Sequence, residues 1–324
     1  MNPTPSVSNI FQKSSARNMV LVFVIISFTP MILVSAIILS QFDRSYHEKV
    51  HDHLRELVQK HQQNIDNFLK ERLGNIQFLA DTSGFGELAR PATLGGSLDR
   101  LQAHYGNVFE DLGVIDEQGR HVAYIGPYDL LDKNYKEAFW FKKVMETECY
   151  VSDVFLGFRK RPHFIMAVKR NWQGGPWILR ATIDFDAFNR VVEGVRVGET
   201  GFAFVLNRAG EFQTKPRLDV SSNIAIYKDF FKKAEEAGQT VQIFEGEDVS
   251  GRENIYAATF LKNGEWLLVY QQTLSDAFEV LKRTEKKAVM VLLAAGFCTL
   301  MISIILSVMV IKGISRGPYW SNWG

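Results

Sequence analysis

A chain of 324 residues, 46% of them hydrophobic, carries enough apolar surface for one or two packed domains. Its 37 Lys and Arg against 36 Asp and Glu leave a formal charge of +1, which argues against a nucleic-acid surface because phosphate binding needs a basic excess. Cys149 lies in hydrophilic sequence and Cys298 in an apolar run, so the geometry argues against a bridge between the two.

Lys13 and Arg17 precede the first apolar run, "MVLVFVIISFTPMILVSAIILS" from Met19 to Ser40. About 20 such residues, rising ~1.5 Å each, cross a hydrocarbon core. The run is too long for a signal peptide, and lipid tolerates a helix carrying Pro30. A second run, "AVMVLLAAGFCTLMISIILSVMVI" from Ala288 to Ile311, is followed by Lys312 and Arg316. Basic residues at both outer flanks predict termini inside and residues 41–287 outside. Lys282, Arg283, Lys286 and Lys287 run against that rule, from which long translocated domains are largely exempt.

From Gln41 to about Asp81 no proline interrupts, and Val50, Leu54, Leu57, Ile65, Phe68, Ile76 and Leu79 recur at helical spacing. They predict a long amphipathic helix of coiled-coil-like character, packed on the modules that follow, on a second copy, or on both. "HEKVH", His47 to His51, has the zinc-protease spacing, but Leu54 and Leu57 stand where the extended motif needs Gly and His. A membrane-anchored peptidase is set aside in favour of a solvated helix face.

The remaining sequence repeats. "GVIDEQGRHVA" (113–123) resembles "FVLNRAGEFQT" (204–214), with Gly119 and Gly210 offset by 91. "YKEAFWFKKV" from Tyr135 resembles "IYKDFFKKA" from Ile226; Tyr135 and Tyr227 are offset by 92, Phe141 and Phe231 by 90, Val151 and Val241 by 90. "IMAVKRNWQGGPWILRATIDFDAF" parallels "IYAATFLKNGEWLLVYQQTLSDAF", Ile165 to Phe188 against Ile255 to Phe278. Strand, turn, strand, helix, then a hairpin, twice in one order, predicts two tandem α+β modules with antiparallel sheets.

A span, a long helix, two sheet modules and a second span resemble the double Cache (dCache) sensor domain of bacterial sensor histidine kinases, chemoreceptors and cyclic-dinucleotide enzymes. The resemblance rests on the "YKEAFWFKKV" segment, "VSDVFLGFRKRPHFIMAV", "WILRATIDFDAF" and "GETGFAFVLNRAGEFQTKP", and covers about Gln41 to Lys287. It implies PAS-like modules and a division into a tail (1–18), a span (19–40), a long helix (41–83), a membrane-distal module (84–190), a membrane-proximal module (191–278), a juxtamembrane helix (279–287), a span (288–311) and a tail (312–324). It further implies a two-pass protein of the bacterial inner membrane, paired through the long helix as a homodimer, that binds a small molecule in the distal module.

Carried over by position, the pocket candidates are Tyr135 and Trp140 on the helix, Phe155 after the "VSD" strand, Arg159, Arg161 and His163 on the next loop, and Asp184. Strand alternation independently places Arg180, Thr182 and Asp184 on one face. Each has a plainer reading: Asp184 as a helix N-cap, Tyr135, Trp140 and Phe155 as core, the arginines as loop charges, His163 as a strand end. The amino-acid-binding members carry an arginine two residues before the tryptophan; here Ala138 stands there, and Phe141 replaces the following tyrosine. Arg159 or Arg161 is the expected substitute cation for a small carboxylate.

No phosphate-cradling motif, nucleophile–base pair or cofactor pattern is present, so no enzyme and no cofactor are expected in this chain. Past Ile311 only "KGISRGPYWSNWG" remains, and the expected reading is the sensor half of a two-component histidine kinase without its output domain. A chemoreceptor or cyclic-dinucleotide-enzyme sensor half and a stand-alone membrane-anchored binding protein are the alternatives. The connection inward is a helix expected from Ser275, a plausible N-cap, into the second span.

Overall fold

The structure is a computed structural model that describes residues 7–194, 198–215, 224–236, 241–248 and 250–314. It divides into two compact units, Met1–Val50 with Phe278–Gly324, and His51–Ala277. Helix α1 (Val7–Leu88) begins in the first and ends in the second, and α7 (Glu279–Ile314) lies in the first. Both are long and apolar enough to cross a membrane, and α1 carries Pro30 without a break. In the same unit His47, the first histidine of the "HEKVH" motif, stacks on Phe278 with ring centroids 4.3 Å apart.

In the second unit α1 buries Leu54, Val58, His61, Ile65, Leu69, Arg72, Ile76 and Ala80. Leu54, Ile65 and Ile76 recur at 11-residue steps, a period of about 3.67 that keeps one stripe inward along a nearly straight helix. The expected coiled-coil character is thus replaced by a face matched to the modules, with Leu57, Phe68 and Leu79 half-buried at its flank. Of its polar members, His61 Nε2 donates to Val192 O at 2.9 Å, while Arg72 donates from Nη2 to Glu71 Oε2 at 3.1 Å and lies 4.0 Å from the Tyr105 ring centroid, its Nε and Nη1 without an acceptor. Gly84 (φ 65, ψ 175) breaks the helix before Leu88.

After α2 (Pro91–Tyr105), β1 (Phe109–Ile115), β2 (His121–Ile125), β3 (Cys149–Val151), β4 (Phe164–Trp172) and β5 (Gly175–Ile183) form an antiparallel sheet in the order β2-β1-β5-β4-β3. Helix α3 (Phe139–Thr147) covers one face, and α4 (Phe185–Glu193) follows β5. The second sheet, β6 (Phe202–Asn207), β7 (Gln242–Glu247), β8 (Glu253–Leu261) and β9 (Trp266–Thr273), runs β6-β9-β8-β7, with α5 (Ile224–Glu236) packed against it through Phe230, Phe231 and Ala234. The fold is α+β, two antiparallel-sheet modules on a long N-terminal helix. The order β1-β5-β4-β3 recurs as β6-β9-β8-β7, and β2 shrinks in the second module to one bridge, Leu206 to Phe212.

The repeated turns are one device. Asp116 Oδ1 accepts from the backbone N–H groups of Gln118 and Arg120, and Asn207 Oδ1 does the same for Ala209 and Glu211. Gly119 (φ 79) and Gly210 (φ 81) supply the left-handed residue such a turn needs. Two local expectations change. Tyr135 precedes α3, its N–H bonded to Gly119 O at 2.7 Å, because Asn134 Oδ1 captures the Lys136 N–H in a turn of its own. The side chain of its counterpart Tyr227 lies outside the described residues. Ser275 falls inside a four-residue helix, α6 (Leu274–Ala277), and a turn at Phe278 separates α6 from α7.

Candidate functional site

The first module encloses a cavity of about 500 Å³ between its sheet, α3 and the loop from Phe155 to His163. The cross-strand row Gly113–Arg180–Ala167 explains the room: Arg180, on the central strand β5, is flanked by the two smallest side chains available. Gly113 cannot be enlarged, since a Cβ there would lie 2.6 Å from His121 Nε2. The walls are aromatic: Tyr135 and Trp140 beside α3, Tyr150 from β3, and Phe155 and Phe158 from the loop, with Phe139 at the rim, 68% exposed.

The loop is held shut by chemistry. Phe155 and His163 exchange backbone hydrogen bonds at 2.9 and 3.1 Å. Between them Arg159 inserts its guanidinium among Glu110 Oε2 (2.8 Å), the fully buried Asp111 carboxylate and Thr182 Oγ1 (2.6 Å). Burial, with Arg180 nearby, pulls Arg159 down to about 9 against the opposing pull of Glu110. Cutting such a pair on one side typically costs about 3–5 kcal/mol. Gly157 (φ 51) permits the tight approach, because a Cβ there would sit 2.8 Å from the Phe155 ring.

Arg180 is a different case. It is 2% exposed, and its one hydrogen bond is from Nη2 to Thr182 Oγ1 at 3.0 Å, while Nε and Nη1 have no acceptor. Its guanidinium lies 5.2 Å from the Tyr135 ring centroid and 5.7 Å from that of Trp140. Burial lowers its pKa and raises that of Tyr135; the Tyr135 hydroxyl and the guanidinium lie close enough for each to oppose the other's shift, but not in the geometry of a hydrogen bond. Each buried donor left without an acceptor carries a penalty of about 1–3 kcal/mol. His163 Nδ1 contacts Arg161 O at 2.9 Å, so the proton sits on Nδ1; burial first, then Arg159 and Arg180, push its pKa down to about 4.

Of the residues expected from sequence, Tyr135, Trp140, Phe155, Arg159, His163 and Arg180 line this cavity. Arg161 is exposed on the loop and outside the lining. Asp184 is placed elsewhere: β5 ends at Ile183, and the Asp184 carboxylate caps α4, accepting from Ala187 N at 2.6 Å. Sequence reasoning missed Leu130, Phe139, Tyr150, Ser152, Asp153, Gly157 and Phe158, with Ala138 noted only as a departure from the amino-acid-binding pattern. Tyr150 and Ser152 stand two apart at β3, so strand alternation could have found them. Asp153 faces two ways, lining the cavity while its carboxylate accepts from Trp266 Nε1 (2.7 Å) and Asn207 Nδ2 (3.0 Å) of the second module.

Residues 42–281 match the family described as Cache domain, dCache_1. No curated protein matches. Among solved structures, the ligand-binding domain of the Pseudomonas aeruginosa PAO1 amino acid chemoreceptor PctB in complex with L-Gln is similar, with TM-score 0.54 and 18% identity over 74% of this chain and 98% of that one. That of the Pseudomonas fluorescens chemoreceptor CtaA in complex with L-isoleucine gives TM-score 0.55 and 15% identity over 73% and 98%. The extracellular domain of soHK1S-Z6, a histidine kinase by provisional assignment, gives TM-score 0.58 and 14% identity over 73% and 98%. At these identities the likeness is one of fold.

Proposed function

The chain belongs to the Cache domain family, and on that premise we propose that it is a transmembrane receptor that binds a small molecule in the cavity of its first module. The observation that carries the reading is the aromatic cavity of about 500 Å³ built around a buried, under-bonded arginine. A large well-formed cavity with a few convergent polar groups is where a ligand site is expected. A ligand that prefers one packing of the modules shifts the population between signalling states, and about 5.5 kcal/mol of differential affinity carries a 1:99 to 99:1 switch.

The site test is direct. Ala138 lines the cavity at the start of α3, so Ala138→Phe fills it. With the full chain in nanodiscs, a ligand found by thermal-shift screening of carboxylates and amines loses its effect in this variant. A ligand that still raises the melting point is not bound there, and the reading fails.

The output fits a two-component histidine kinase of a bacterial inner membrane, with residues 41–287 outside the cytoplasm; the fold likeness to soHK1S-Z6 supports it. The likeness to PctB and CtaA favours a second reading, a chemoreceptor sensor half. Genomic DNA beyond the codon for Gly324 separates the two: a kinase transmitter supports the first, a methyl-accepting signalling domain the second. A second copy along α1 belongs to the same reading, where Phe78 stands 69% exposed. Phe78→Cys then crosslinks two chains under mild oxidation, and a monomer throughout counts against pairing at that position.

A further inference from the structure

Resting on the reading of this cavity as the ligand site, we propose that its ligand is a small monocarboxylate with an apolar body and no required amino group, its head received by Arg180 and the Tyr135 hydroxyl. Two guanidiniums border the cavity, and their bonding separates them. Arg159 is paired with the carboxylates of Glu110 and Asp111 and bonded to Thr182, with Nε alone unmet. Arg180 has Thr182 alone, with Nε and Nη1 unmet, and the Tyr135 hydroxyl is likewise buried without an acceptor. Three unmet donors on two adjoining side chains, 98% and 95% buried, call for a partner that only accepts. An ionised carboxylate offers two such oxygens in the planar geometry an arginine fork matches.

Among the described residues no carboxylate bonds Arg180. Asp111 Oδ2 accepts from Arg159 and Tyr124 while its Oδ1 is buried without a partner, outside the cavity lining, and the Glu110 side chain, 25% exposed, is open to water. Among the residues that line the cavity an amino group finds no uncommitted carboxylate either: the Asp153 oxygens accept from Trp266 and Asn207, with Lys262 Nζ 3.5 Å away. His163, held neutral, adds no charge. The remaining walls, Trp140, Tyr150, Phe155 and Phe158, are aromatic and suit a hydrocarbon or phenyl body.

The test uses the full chain in nanodiscs of zwitterionic lipid, titrated calorimetrically with phenylacetate, isocaproate, phenylacetamide and phenethylamine. Both acids are expected to bind, the amide about tenfold or more weakly, and the amine not at all. Arg180→Lys, which keeps the charge and loses the fork, weakens the acids about tenfold or more; Tyr135→Phe, which keeps the ring, weakens them several-fold. Acid binding that Arg180→Lys leaves unchanged, or silence across the panel, overturns the carboxylate class. Amine binding abolished by Ala138→Phe overturns it too, while leaving the cavity as the ligand site. Binding of any probe that survives Ala138→Phe sinks the underlying site as well.

Discussion

At the scale of single residues the site turns on two arginines that look alike in sequence. Arg159 and Arg180 are both buried, yet one holds the loop closed through two carboxylates and the other, with two open nitrogens, meets none. Arg159→Met strands the fully buried Asp111 carboxylate, so a loss of about 3–5 kcal/mol is expected in urea unfolding of the full chain followed by tryptophan fluorescence. Arg180→Met strands no directly bonded carboxylate and is expected to lose markedly less; equal losses would contradict these separate roles. The histidines add a pH dependence. Burial holds His163 and His121 down to about 4 each, while in the unfolded chain both titrate near ~6.5. The unfolded state therefore binds protons first as pH falls, so stability is full above about 6.5 and declines toward pH 4, by at most ~1.4 kcal/mol per pH unit for each histidine. A melting temperature flat from pH 7 to about 4 would show that neither is held neutral. Sequence named both arginines and His163 but could not rank the arginines. The ranking depends on Glu110 and Asp111, 48 or 49 residues from Arg159, and strand pairing alone brings those groups together.

At the scale of elements, what is local was legible and what depends on tertiary register was not. The Asx turns at Asp116 and Asn207 were readable because side chain, N–H and glycine lie within five residues of chain. The hairpins were readable for the same reason. The stripe of α1 was found, but its period was not, because Val58, His61, Leu69, Arg72 and Ala80 complete it and two of these are polar. Ile65→Ala, at a site of 0% exposure, is therefore expected to cost about 2–5 kcal/mol, and Leu57→Ala at the half-buried flank much less, in the same unfolding measurement. Equal costs would point to a helix rotated from this packing. Asp184 shows the opposite error: strand alternation was extended one residue past Ile183, where the chain had already turned into α4 and the carboxylate serves the helix N-terminus.

At the scale of the molecule the duplication is real in order of strands but unequal in use. With the Asp116 and Asn207 turns in register, the row Gly113–Arg180–Ala167 corresponds to Phe204–Val269–Ala258. Ile165 and Ile255, aligned in sequence, then point to opposite faces, since one residue of slip inverts a strand. Where the first module leaves space, the described residues of the second pack Phe204, Phe230, Phe231 and Tyr256. On the proposed reading the first module takes the ligand, and a signal then passes from it to the second. Asp153 is the direct link, because it lines the cavity while bonding Trp266 and Asn207, and its neighbour Val154 N donates to Gln213 Oε1 at 2.7 Å. Asp153→Asn keeps the shape but removes the charge, weakening the grip on both donors without touching Arg180 or Tyr135. In the chain spliced to a kinase transmitter, ligand affinity is then expected to stay within a few-fold while ligand-dependent phosphorylation falls away. Such a separation is what a coupling residue produces, since coupling is a free energy distinct from binding at either site. A variant that signals normally would place the path between the modules elsewhere, along α1, whose His61 bonds the first module at Val192 and whose Gln62 Nε2 donates to Phe260 O in the second.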